Sequence, residues 1–148
     1  MSHKEKLKND LKTAMKARDE LRISTIRLAL SAVRNLEIDK GRELTDEETL
    51  EVLAKEAKSR RESIEGAEKA GRPDIATKEA QELEILTAYM PEQLDEAEIE
   101  QLAKEVASEI GAAGPKDRGR MMSALMPRVK GRADGKAVSR VVERILQS

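Results

Sequence analysis

The chain has 148 residues, is 39% charged and 39% hydrophobic, and carries a formal net charge of −1. That length suits one domain or two very small ones, and the balance of charge offers no overall attraction to a polyanion. With one Tyr, one His and no Phe, Trp or Cys, the composition excludes disulfides, Cys-ligated zinc and thiol nucleophiles, leaves no His pair for a metal, and argues against modules that stack bases on aromatic rings.

Helix signals run the length of the chain. Ser2 with Glu5 forms a capping box ahead of an apolar stripe of Leu7, Leu11, Ala14 and Met15. His3 reads as a solvated terminal residue. A second helix is predicted from about Asp19 to Asp39, with Ile23, Ile26, Leu30 and Val33 at helical spacing and Gly41 as its stop. Thr45 with Glu48 opens a third, which carries Leu50, Leu53, Ala57 and Ile64 and ends at Gly71. Pro73 suits the first turn of a fourth, with Ile75, Ala76, Leu83 and Leu86 inward and a stop near Pro91.

Asp95 and Glu98 begin a fifth helix with Ile99, Leu102, Val106 and Ile110 inward, broken by the glycines at 111 and 114. Pro115 starts a sixth, with Met122, Leu125 and Met126 inward and Pro127 close to its end. After the turn Lys130-Gly-Arg-Ala-Asp-Gly135, Asp134 is placed to cap a seventh helix packing Val138, Val141, Val142, Ile145 and Leu146. No run reads as a strand, so the expected class is all-α. The break at Tyr89–Gln93 divides the expectation into an N-terminal helical hairpin or bundle region over 1–92 and a small three-helix domain over 93–148.

Charge is unevenly spread along the chain. Residues 1–36 hold nine basic and four acidic residues, 37–109 hold 10 and 22, and 110–148 hold nine and three. Lys4, Lys8, Lys12 and Lys16 form one stripe on the first helix, and Lys136, Arg140 and Arg144 another on the last. Such stripes can follow a phosphate backbone, and either can also be an ordinary solvated face. The turn at 130–136 is the densest candidate. Gly131 and Gly135 would let the backbone approach a ligand, Lys130, Arg132 and Lys136 add charge, and the turn feeds a helix N-terminus. It equally fits a tight connection with solvated charges, and it is not a P-loop. The carboxylates Glu47, Glu48, Glu51, Glu79, Glu82 and Glu84 read as solvated faces with i,i+4 partners. Met121, Met122 and Met126 read as core filler. No catalytic constellation, metal site or cofactor motif is present.

The stretches LKTAMKARDELRISTIRLALSAVRN (11–35), EAKSRRESIEGAEKAGRPD (56–74), AYMPEQL (88–94) and GPKDRGRMMSALMPRVKGRADGKAVSRVVERIL (114–146) resemble the YqeY-like proteins of the GatB/YqeY family. YMPEQL and the KGRADGK turn are their most specific parts. The resemblance implies an all-helical chain whose small domain is similar to the C-terminal tail of the B subunit of aspartyl/glutamyl-tRNA amidotransferases. That tail helps to engage the tRNA body. The family is classed under carbon–nitrogen ligase activity with glutamine as amido-N-donor. The B subunit's catalytic cradle has no counterpart here, so an enzyme acting on its own is not expected. Ser123 stands where many relatives have Gly.

The combined expectation is a cytoplasmic, monomeric, non-catalytic tRNA-binding accessory of aminoacyl-tRNA synthesis or transamidation. It would contact backbone and shape through Lys130, Gly131, Arg132, Gly135, Lys136, Arg140 and Arg144. Aminoacyl-tRNA synthetase or amidotransferase subunits are possible partners. The N-terminus is charged from Lys4 and no stretch approaches a membrane span, so no membrane is expected. Two alternatives remain: a contributor to glutamine-dependent tRNA amidotransferase activity, and a helical protein–protein adaptor that uses the acidic 37–109 segment.

Overall fold

The computed structural model describes residues 1–147. Ser148, the last residue of the expected C-terminal domain, lies outside the described residues. All regular structure among the described residues is helical. The chain divides into two compact units, Met1–Pro91 and Glu92 onward.

The first unit holds α1 (His3–Ala17), α2 (Glu20–Lys40), α3 (Asp46–Lys69) and α4 (Pro73–Thr87). Local chemistry sets most of the boundaries. Capping boxes at Ser2/Glu5 and Thr45/Glu48 satisfy orphan N–H groups at the starts of α1 and α3. Asp19 caps α2 and Gly41, at φ 69°, ends it in the left-handed region. Arg18, also left-handed at φ 56°, closes α1. α4 stops at Thr87, short of the expected Pro91, because Ala88 to Met90 tighten into turns.

Leu7, Ile26, Leu53 and Leu86 are fully buried and form the centre of this unit with Ala29, Ile85 and Tyr89. The single ring ties the end of the unit to its start. The Tyr89 hydroxyl donates a short hydrogen bond to Asp10, and the Lys6 ammonium lies 5.4 Å from the ring centroid. Burial, with the Asp10 carboxylate beside it, pushes the phenol pKa far above its ordinary value.

Several expected surface charges are instead fasteners between helices. Arg60 and Glu82 are buried between α3 and α4, where Arg60 Nε lies 2.8 Å from the Glu82 carboxylate in an ion pair whose angle falls short of a hydrogen bond. Glu56 and Glu79 lie 3.5 and 3.6 Å from the same guanidinium. The long helices bring these charges face to face, which spacing within one helix does not reveal. Likewise, His3 is not a free terminal residue: its N–H and ring both meet Asp46 at the start of α3, at 2.7 and 2.6 Å. Met15 and Ile75, expected inward, are exposed. Each lies in an end turn of its helix, past the packed centre.

The second unit holds α5 (Glu96–Ile110), a short 3-10 turn (Pro115–Asp117), α6 (Arg118–Val129) and α7 (Gly135–Gln147). The Asp95/Glu98 capping box starts α5 and Gly111, at φ 67°, ends it. α6 starts at Arg118 and runs two residues beyond Pro127; a proline in the last turn forfeits one backbone bond without stopping the chain. Its inward stripe is Met121, Leu125 and Val129 at four-residue spacing, so Met121 rather than Met122 is fully buried. Facing them are Ile99, Ala103 and Val106 of α5 and Val138, Val141, Val142 and Leu146 of α7.

Two outcomes follow. Leu125→Ala should destabilise the second unit by about 2–5 kcal/mol, read from denaturant unfolding; a change within about 0.5 kcal/mol would contradict the packing. In the first unit, Glu37 accepts from Lys4 Nζ and from the Leu44 N–H, and these contacts, the backbone one foremost, hold its pKa below the model-peptide value of 4.5. A depressed folded pKa contributes stability above the unfolded value that is lost as pH falls through the folded one. Glu37→Gln should therefore lower the melting temperature near neutral pH, with the difference from wild type closing as pH drops below 4.5.

Candidate nucleic-acid interface

The turn between α6 and α7 is held from below. Within it, Arg132 N–H and Ala133 N–H donate to the Val129 carbonyl at 2.8 and 3.1 Å, closing off the end of α6. Gly131 sits at φ 77°, where a side chain is strained. Three residues from the start of the unit then grip the loop. Leu94 N–H donates to the Arg132 carbonyl at 2.7 Å, Gln93 Nε2 to the Gly131 carbonyl at 2.8 Å, and Arg132 Nε reaches back to the Glu92 carbonyl at 3.3 Å. Leu94 meanwhile packs against the core. The end of the YMPEQL stretch, residues 92–94, thus meets Gly131 and Arg132 of the KGRADGK turn in a single clamp. Sequence spacing of 38 to 40 residues gave no sign of this.

The seven candidate residues separate by role in this geometry. Gly131 supplies the left-handed bend. Gly135 does not: it is the first residue of α7, with no positive φ. Arg132 is half-buried, with its backbone and guanidinium engaged in the clamp. Arg144 pairs with Glu96 at 2.8 Å and Glu100 at 3.3 Å on α5. Lys130 is exposed. Lys136 and Arg140 are exposed, one turn apart on the side of α7 opposite Val138, Val141 and Val142, and have no ion pair among the described residues.

The remaining arginines of the basic C-terminal run are engaged. Arg118 meets Glu143 at 3.0 Å and Ser139 at 2.6 Å. Arg128 meets Glu105 and Glu109 at 3.3 and 3.5 Å. Arg120 reaches Asp117 and the Ile110 carbonyl. The Asp117 carboxyl is held below its ordinary pKa, chiefly by the N–H of Ala113. Counted over the whole unit, 92–148 holds 10 basic and 10 acidic residues. The excess seen along 110–148 is therefore largely offset within the unit, by carboxylates of α5 and by Asp117 and Glu143, while Lys136 and Arg140 project without an ion pair among the described residues. Among the described residues no group of three His, Asp or Glu side chains is arranged to hold a metal, and no helix is long and apolar enough to cross a membrane.

The sequence model of the Yqey-like protein family matches residues 4–146. The chain belongs to that family. Curated relatives in fungi carry the name altered inheritance of mitochondria protein 41, mitochondrial. The one from Lachancea thermotolerans is 37% identical over 112 residues, covering 74% of this chain and 60% of the relative. That from Pyrenophora tritici-repentis is 30% identical over 144 residues, covering 95% and 79%, and that from Eremothecium gossypii is 42% identical over 85 residues, covering 57% and 46%. The chain thus spans about half to two thirds of the length of most of these YqeY-like relatives. Their names overturn the cytoplasmic expectation, since each is called mitochondrial. That expectation leaned on a missing apolar leader, whereas mitochondrial leaders are amphipathic and Arg-rich.

The two glycines give a direct check of the geometry. Gly131→Ala should cost about 1 kcal/mol through the positive φ alone, because nothing lies within 4 Å of an added Cβ. Gly135→Ala, in helical backbone with equally open space, should stabilise by up to about 1 kcal/mol. Thermal unfolding of the two variants should move in opposite directions.

Proposed function

We propose that this YqeY-like chain is a non-catalytic RNA-binding accessory, with the tRNA backbone as its ligand and a role linked to aminoacyl-tRNA synthesis or transamidation. The observation that carries this is the pair Lys136 and Arg140. In a unit where the other α7 and α6 guanidiniums are matched to carboxylates, these two project together from the outer face without an acidic partner among the described residues. A mutual repulsion left uncompensated on a surface favours an anion there. Lys130 lies just before them on the exposed side of a turn that the clamp immobilises.

Recognition would be of phosphate and shape. The surface offers no ring for stacking and cations with flexible stems, so contacts would position the protein on the RNA without reading bases. Likeness of the second unit to the tail of the amidotransferase B subunit supports tRNA as the class of RNA. The clamp gives Arg132 and Gly131 an indirect part, holding the turn from which the cations project, and Arg144 a similar part in fixing α7 on α5.

Titration with tRNA at low and moderate salt tests the proposal. Binding should weaken linearly on a log–log plot against salt. In the Lys136→Ala/Arg140→Ala variant the slope should shrink by about 2, roughly one per lost phosphate contact. Salt-independent binding, no binding, or an unchanged slope in the double variant would refute it.

A further inference from the structure

The lysine stripe of α1 is only partly used by the fold. Lys4 Nζ donates to both carboxylate oxygens of Glu37 on α2 at 3.0 and 2.9 Å, and Glu37 also accepts from the Leu44 N–H at 3.0 Å. That carboxylate is thereby committed to two partners. Immediately beside it, Lys8 of α1 and Arg34 of α2 are exposed and have no ion pair or hydrogen bond among the described residues. Lys4, Lys8, Arg34, Glu37 and Leu30 line one cavity of about 360 Å³. Three cations therefore share this cavity with one lining carboxylate, Glu37, whose charge also acts on Lys8, while Lys4 lies 3.9 Å from Glu43 as well.

The size and lining are informative. A cavity of this volume is at the small end of ligand sites. It has room for a phosphate with part of its sugar, not for a folded peptide. Leu30 supplies an apolar patch for sugar carbons, while the ammonium of Lys8 and the planar fork of Arg34 approach from different helices. Arg34 can present two parallel N–H donors to phosphate oxygens. Glu37 would repel an anion that came too close, but its charge is turned toward Lys4 and the Leu44 amide.

We propose that the outer seam of α1 and α2 is a phosphate-ester site, with Lys8 and Arg34 as the binding cations and the Lys4–Glu37 pair as its fixed end wall. It rests on different residues from the α7 surface and stands without it. The phosphate could belong to an RNA backbone or to a free nucleotide, since both present the same group.

Calorimetric titration of the full chain with adenosine monophosphate, and separately with a mixed-sequence RNA oligonucleotide, tests this. Wild type and Lys136→Ala/Arg140→Ala should both bind at the seam. Lys8→Ala/Arg34→Ala should weaken that binding on the order of tenfold or more. Both substituted side chains are exposed and unpaired among the described residues, so an unchanged melting temperature should confirm that the variant is folded. Binding of adenosine monophosphate that depends on Lys8 and Arg34 identifies a free nucleotide as sufficient; binding of the oligonucleotide alone, with the same dependence, identifies RNA backbone as the source. Absence of binding by both probes, or equal affinity in Lys8→Ala/Arg34→Ala, overturns the site. Loss in Lys136→Ala/Arg140→Ala alone would assign the phosphate contact to α7 instead.

Discussion

With one aromatic ring in 148 residues, each helix of this protein must bury a narrow stripe of Leu, Ile, Val and Ala, and everything else follows from that constraint. Small aliphatic side chains bring helix backbones close together, so the charged residues flanking the stripes come within reach of the next helix. Lys4 finds Glu37, Arg60 finds Glu82, and Arg128 and Arg144 find carboxylates of α5. Most of these pairs are partly exposed, and each adds little stability. Their larger effect is to cancel charge. The first unit carries 18 basic and 19 acidic residues, and the second 10 of each. Where cations are left over in such a compensated surface, their position is informative. Among the described residues, cations without an ion pair include Lys136 and Arg140 on the outer face of α7 and Lys8 and Arg34 along the α1–α2 seam.

The clamp between 92–94 and 131–132 shows how one short segment can carry two kinds of residue. Gly131 and Arg132 serve the backbone, one by its conformation and the other by hydrogen bonds to the start of the unit. Lys136 and Arg140, a few residues on, have no such structural employment. A basic turn is thus better understood as a scaffolded loop with cations beside it than as a cluster of equivalent ligands. The same separation applies on α1, where Lys4 braces α2 and Lys8 does not.

Helix existence and most helix ends were legible in the sequence because they depend on local chemistry. A Ser, Thr or Asp with a Glu three residues on satisfies orphan N–H groups wherever it occurs, and a glycine in the left-handed region ends a helix without help from distant residues. The helical boundaries at Ser2, Thr45, Asp95, Gly41 and Gly111 belong to this class. The all-α class and the YqeY-like family were legible on the same footing, from periodicity and from distinctive short stretches. Inward stripes were read correctly at helix centres and failed at ends, as at Met15 and Ile75; on α6 Met122 does pack against the core, while the fully buried position is its neighbour Met121.

The candidate site was legible as a list of basic residues and not as an arrangement. Along the chain, charge partitions into basic ends and an acidic middle; in space, that partition is largely erased within each unit. Which cation meets a carboxylate depends on the rotation and register of packed helices. Those are set by contacts between residues tens of positions apart, such as Lys4 with Glu37 and Arg144 with Glu96. The sequence by itself determined helices, caps, family and an inventory of charge. Tertiary packing decided which of those charges became fasteners between helices and which were left without a carboxylate partner, because electrostatic pairing is a property of distance and not of order along the chain.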